Sequence, residues 1–152
     1  MNYPIGEYQC KLDAKGRLMI PADFKEQLGN LADQGFVMRP GLFNTCIELY
    51  TMNDWMEKQS KLKNLSQFVK ANVDLMRKYN AGAKMVKLDA SGRMLIPKNL
   101  IEGGALNKEV VINALPAYME IWDKDAYRAK LNELDQESLE KMLEEKLGVS
   151  DN

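Results

Sequence analysis

Residues 11–21, KLDAKGRLMIP, return at 87–97 as KLDASGRMLIP; eight of the eleven positions are identical, and two more exchange leucine and methionine. A repeat this close, 76 positions apart in a chain of 152 residues, restricts the fold to two copies of one small supersecondary unit. The repeated element carries a charged pair, Asp13 with Arg17 and Asp89 with Arg93.

Around it, each copy reads as strand, turn, strand, helix. Tyr8–Leu12 alternates apolar and polar side chains. Asp13-Ala14-Lys15-Gly16 is a turn with Asp first and Gly fourth, where a left-handed glycine closes a bulged hairpin. Arg17–Ile20 is the return strand. Pro21 donates nothing to a ladder but fits the first turn of a helix, predicted over 22–28 and stopped at Gly29-Asn30. Strands follow at 36–39 and 46–50, then a helix starting near Trp55 with Asn53 or Asp54 as its cap. The second copy repeats the order: strand 84–88, turn Asp89–Gly92, strand 93–96, a helix opened by Pro97 and ended by Gly103-Gly104, and strands 109–113 and 118–122. Asp123 or Asp125 caps a final helix. Ile47–Tyr50 aligns with Met119–Trp122 at an offset of 72, so the first copy holds about four extra residues near 30–45.

Between the copies, Leu62, Leu65, Phe68, Val69, Met76 and Tyr79 recur at helical spacing, with Asn72 capping a short helix over 73–79. From 126 to 147, Leu131, Leu134, Leu139, Met142, Leu143 and Leu147 stripe one helix face, broken near 135–138. That stripe is expected to pack on the chain's own body or on a neighbouring subunit. The expected division is a first unit over 5–58, a helical linker over 59–80, a second unit over 81–130, and an acidic amphipathic tail over 131–152.

Net charge is only −1, yet 58–98 holds ten basic residues against two acidic ones, while 132–152 holds seven acidic against two basic. Such blocks imply a basic working surface and an acidic tail elsewhere; lysines solvating helix faces are the plainer alternative for 58–78. There is no histidine, which removes the usual general base and the commonest metal ligand. Cys10 and Cys46 sit in apolar runs and read as buried free thiols. Without a phosphate-cradling glycine loop or a nucleophile motif, neither an enzyme nor a small-molecule substrate is expected. No metal, cofactor, membrane span or secretory signal is expected either, so the expected location is cytoplasmic.

Each residue of the motif has a local reason. Leu12, Leu18 and Ile20 suit apolar sheet faces, Gly16 and Gly92 a backbone angle other residues dislike, and Asp13 and Asp89 can accept bonds from their own turns. Arg17 and Arg93 leave beside the tips, where two dyad-related guanidinium groups can reach guanine edges or phosphates of duplex DNA. The pattern alone equally permits an internal Asp–Arg ion pair that only braces the turn. Lys11, Lys15, Lys84 and Lys87 flank the turns as phosphate contacts. Ser91 replaces Lys15 in the second copy, so the two halves are not expected to contribute equally. Trp55, Trp122, Tyr50 and Tyr118 read as core residues, not base-stacking platforms.

The paired segments LDAKGRLMIP and LDASGRMLIP, the ending EIWDKDAY and the length resemble the MraZ family, built from two SpoVT/AbrB-type domains, from Gly6 to about Leu131. The segment RKYNAGA at 77–83 departs from the more apolar stretch of that family. The resemblance implies an α+β, mainly β fold: a pseudo-two-fold, swapped-hairpin AbrB-like β-barrel made by the two repeats, with flanking helices. It further implies a homo-oligomeric ring whose motif arginines face double-stranded DNA. The implied function is a nucleoid-associated transcriptional regulator, a repressor of the division and cell-wall gene cluster that includes its own gene. Two other classes stay open: an antitoxin-like DNA-binding protein whose acidic tail wraps a protein partner, and a structural ring without DNA.

Overall fold

The computed structural model describes residues 4–148. Along the chain run β1 (Glu7–Lys11), β2 (Arg17–Met19), α1 (Ala22–Leu28), a 3-10 turn (Gly29–Gln34), β3 (Phe36–Pro40), β4 (Ile47–Thr51), α2 (Met52–Lys63) and α3 (Lys70–Asn80). The second half supplies β5 (Lys84–Val86), β6 (Arg93–Leu95), α4 (Lys98–Gly103), β7 (Glu109–Ala114), β8 (Met119–Asp123), α5 (Lys124–Asn132) and α6 (Gln136–Leu147). The architecture is α+β, and every strand pairing is antiparallel.

Six strands form one sheet in the order β1-β7-β8-β4-β3-β5, and β2 pairs with β6 in a second. Exchanging the halves turns this order into its own reverse. The register obeys the same exchange: Glu48 lies opposite Glu120, and Leu18 opposite Met94, each pair falling on the pseudo-two-fold axis. Each half therefore completes the other, since β1 pairs with β7 and β5 with β3. The expected hairpin between residues 8–12 and 17–20 is correspondingly reduced. Only Leu12 and Leu18 bridge across the first turn, and only Leu88 and Met94 across the second. Beyond those bridges the strands part for partners in the opposite half, and β2 is only three residues long because the next step of its register sets Ile20 against Gly92, which already belongs to the opposite turn.

Strand pairing also divides the extra length of the first copy. Cys10 corresponds to Val86, 76 positions on, Phe36 to Val110, 74 on, and Thr51 to Asp123, 72 on. Two of the extra residues thus lie in the 3-10 turn before β3, which carries the chain past the expected stop at Gly29. The other two lie in the loop before β4.

One apolar core joins both halves. Leu18 and Met94 are fully buried with Phe24, Phe36, Met38, Ile47, Leu49, Val110, Ile112 and Ile121. Tyr8 meets Phe24 edge-on at 4.7 Å between ring centroids, which pins α1 over β1. Burying side chains of the size of Phe24 or Leu28 contributes about 1.5–3 kcal/mol each, enough to hold a seven-residue helix that could not persist alone.

The structure corrects two helical expectations and resolves two that the sequence leaves open. The cap of α2 is Thr51, whose side chain accepts from the Asp54 N–H; the helix starts at Met52 and passes unbroken through residue 58. α3 starts at Lys70, not 73, and Asn72 instead donates to the Ser66 carbonyl at 3.0 Å. For α5 the structure selects Asp123 as the cap, bonded to Ala126 N–H. The tail breaks at 133–135, slightly ahead of the expected 135–138, because Asp135 caps α6, and α6 buries none of its residues. Leu131, Leu134, Leu139, Met142 and Leu147 are exposed, so the stripe does not pack on the chain's own body.

Candidate functional site

The two repeated turns are built alike. Asp13 Oδ1 accepts the N–H groups of Lys15 at 2.9 Å and Arg17 at 2.8 Å, while Oδ2 accepts Arg17 Nε at 2.7 Å. Asp89 does the same with Ser91 N–H, Arg93 N–H and Arg93 Nε, each at 2.9 Å. Gly16 and Gly92 close the turns at φ +82° and +78°. Both carboxyls are held below their usual 3.8, chiefly by the backbone N–H of the motif arginine. The bracing by these carboxylates is therefore complete above 3.8 and is lost only as pH falls through the lower folded values.

The ion pair that the sequence leaves as an alternative is thus present. It runs through Nε alone, 2.7 Å in the first turn and 2.9 Å in the second, and each arginine side chain keeps about 30% of its exposure. Bracing fixes the direction of the guanidinium group without consuming its outer edge. Such an edge suits a planar acceptor pair, as on guanine or a phosphate.

β2 and β6 bring the two arginines onto one surface. Strand alternation buries Leu18 and Met94 and turns Arg17, Met19, Arg93 and Leu95 outward. Arg17 lies opposite Leu95, and Arg93 opposite Met19. The two arginines are then diagonal neighbours, about 7–8 Å apart at their bases. The ladder is tied at both ends by Ile96 N–H to Gly16 C=O at 2.8 Å and Ile20 N–H to Gly92 C=O at 3.2 Å. A two-stranded antiparallel ribbon of this kind has the width that a DNA major groove admits.

The four flanking lysines are all exposed. Lys11 shares a cavity of about 340 Å³ with Met19, Pro21 and Lys124 beside the ribbon. Lys15 stands at the tip of the first turn and lines a second cavity, about 520 Å³, with Leu95 and Lys98. Lys87 is the counterpart of Lys11 in the second half, its side chain lying over Gly35. Lys84 lies opposite Met38, at the end of β5 farthest from the turn.

Two basic residues were not legible as part of this surface. Lys98 borders the first turn from α4. Lys25 Nζ comes within 3.9 Å of where a Cβ on Gly92 would stand, so α1 of the first half supplies a lysine to the second turn. Its counterpart beside Gly16 is Ile101. The lysine lost at Ser91 is in this way replaced from the other copy.

The remaining candidates lie elsewhere. Cys10 and Cys46 are free and buried, and burial pushes each thiol up to about 12. Tyr50 and Trp122 are buried, whereas Trp55 and Tyr118 are half-buried and not core; Tyr50 stacks on Tyr118 at 5.2 Å and meets Trp55 edge-on at 5.3 Å, while Trp122 packs on Tyr127 at 5.9 Å, so each ring is engaged by another. On that side of the sheet Glu48 accepts from Arg39, Tyr50 and the Leu42 N–H, and Glu120 from Trp122 Nε1 at 3.0 Å. Among the described residues no group of three or more Cys, Asp or Glu is placed to hold a metal ion, and no helix is long and apolar enough to cross a membrane.

The family model described as "MraZ protein, putative antitoxin-like" matches residues 5–78 and 80–149. The transcriptional regulator MraZ of Christiangramia forsetii is 43% identical over 129 residues, covering 85% of this chain and 83% of that one. The protein of the same name from Flavobacterium psychrophilum is 41% identical over 133 residues, with 88% and 85% covered. That from Acetivibrio thermocellus is 39% identical over 124 residues, with 82% and 83% covered.

Proposed function

This chain belongs to the MraZ family, and from that premise we propose that it is a DNA-binding transcriptional regulator, like the relatives that carry that name. The observation that carries the reading is the outward face of the β2–β6 ribbon, where two Asp-braced arginines stand related by the pseudo-two-fold axis. Arg17 and Arg93 read base edges in the major groove. Lys11, Lys15, Lys84 and Lys87, with Lys25 and Lys98 added, contact phosphates and make affinity fall with salt. Asp13, Gly16, Asp89 and Gly92 set the turns. The chain acts as a repressor, at sites upstream of a division and cell-wall gene cluster that includes its own gene, and works in the cytoplasm at the nucleoid. The function is regulatory and not enzymatic, which fits relatives named as regulators.

The fold is read as the swapped-hairpin, AbrB-like barrel, with units over 5–58 and 81–130, a helical linker and an acidic tail. Interlocked pairing and the bridges at Leu12 and Leu88 support this. Chains close into a ring. α2–α3 and α5–α6 follow the dyad-related strands β4 and β8, so they form two equivalent arms. One exposes Met56, Phe68, Val69 and Leu75 among lysines, the other Leu131, Leu139, Met142 and Leu147 among glutamates. Unlike arms of adjacent chains complement one another in charge and cover these apolar residues, a heterologous contact of the kind that closes rings. Several ribbons on one ring then bind repeated short sites with avidity. The same acidic arm favours a second reading, an antitoxin-like regulator that holds a protein partner there.

The test is fluorescence anisotropy with a labelled duplex from upstream of the protein's own coding sequence, at two salt concentrations. Arg17→Ala/Arg93→Ala removes two contacts of about 1–3 kcal/mol each and is expected to lose about thirtyfold in affinity or more, with unchanged assembly by light scattering. Wild-type affinity in the double variant would move the DNA site away from the ribbon.

A further inference from the structure

The outward face of the ribbon carries two residues that bracing and phosphate contact leave unexplained. Met19 is 50% exposed and Leu95 58% exposed, in a row that otherwise consists of the two arginines. The outer face of an antiparallel pair ordinarily takes polar side chains. Here each arginine has an apolar neighbour directly across the ladder, Leu95 beside Arg17 and Met19 beside Arg93, with Cβ atoms about 4.5–5.5 Å apart. The two copies use the same pair of residue types in opposite order: Leu18 and Met94 point inward, Met19 and Leu95 outward. Apolar character is thus present at both outward positions. Tethering of each guanidinium to its own turn through Nε draws it toward the Asp and leaves the neighbouring apolar side chain uncovered.

We infer that Met19 and Leu95 are specificity-determining residues that pack on thymine C5-methyl groups beside the bases read by Arg93 and Arg17. The inference rests on the reading of this ribbon as the DNA surface. The major-groove edge of thymine is the one that presents a methyl group, and an apolar side chain recognises it by contact. A guanidinium and an apolar side chain standing side by side therefore match adjacent base pairs of which one offers acceptors and the next a methyl. The half-exposed surface of Met19 and Leu95 leaves water only in the complex, which makes the contact favourable without any hydrogen bond. Because the unit occurs twice about one axis, two thymine contacts are available per chain.

The discriminating probe is deoxyuridine, which lacks only the methyl. Anisotropy is measured with the upstream duplex and with the same duplex carrying deoxyuridine for every thymine, on wild type, Met19→Ala/Leu95→Ala and Met19→Gln/Leu95→Gln. Wild type is expected to bind the uracil duplex about fourfold more weakly per methyl contacted. Both variants are expected to bind the thymine duplex more weakly than wild type and to treat the two duplexes alike. Both positions are half in solvent, and the glutamine variant keeps side-chain length, so the ladder is retained. Equal wild-type binding to the two duplexes overturns the inference. Discrimination that survives in both variants overturns it too, because the methyl is then read elsewhere. Neither result touches the arginine reading, which fails separately if Arg17→Ala/Arg93→Ala binds as wild type.

Discussion

Asp13 and Gly16 do their work within five residues, and that is why they could be read from the sequence. Every bond that shapes the turn is made by Asp13, Lys15, Gly16 or Arg17. Lys25 shows the opposite case: it reaches the second turn only because the halves interlock, and no local pattern encodes that. The two turn glycines also differ in their surroundings. A Cβ at Gly16 would stand 3.1 Å from Ile101 Cδ1 and 3.3 Å from the Ile96 carbonyl, whereas one at Gly92 would meet only Lys25 Nζ at 3.9 Å. Left-handed geometry alone costs an alanine about 1–2 kcal/mol. Gly92→Ala is expected near that range and Gly16→Ala above it, as measured by urea unfolding. Equal losses would mean that the Ile96 carbonyl moves aside freely.

At the level of elements, strands and the Pro-opened helices were legible because alternation and proline act locally. Caps were less so, since a cap is chosen by what the following residues donate. Asp123 illustrates the choice. Besides Ala126 N–H it accepts Asn107 N–H at 3.2 Å and Asn107 Nδ2 at 3.0 Å, and so ties α5 to the loop before β7. Asp125 is exposed and takes no part. Asp123→Ala is expected to cost about 1–3 kcal/mol, read as a lowered Tm, whereas Asp125→Ala stays within about 0.5 kcal/mol. Comparable shifts for both would remove Asp123 from its capping role. The α3 start at Lys70 escaped the sequence because Asn72, a good cap residue, is occupied by Ser66 instead.

For the whole molecule, the repeat announced two units, and the pairing makes each unit incomplete. Residues 4–80 contain β1 and β3 but neither of the strands that cover their edges, β7 and β5. Under the pseudo-two-fold axis β3 is the counterpart of β7, so a second copy of the same fragment can supply what is missing. The isolated fragment is accordingly expected to be either unfolded or a dimer by sedimentation, never a folded monomer with dispersed amide resonances. A folded monomer would show that the halves stand alone. The same interlock orders events during synthesis. Tyr8 pairs with Ile112, 104 residues later, and a ribosome adding about 5–20 residues per second needs ~5–20 s to deliver that partner. For that interval the first repeat is in the cell without its mate. Neighbouring nascent chains on one message each expose a first half that can complete the other, so newly made chains are exposed to intertwining with a sibling before they are finished.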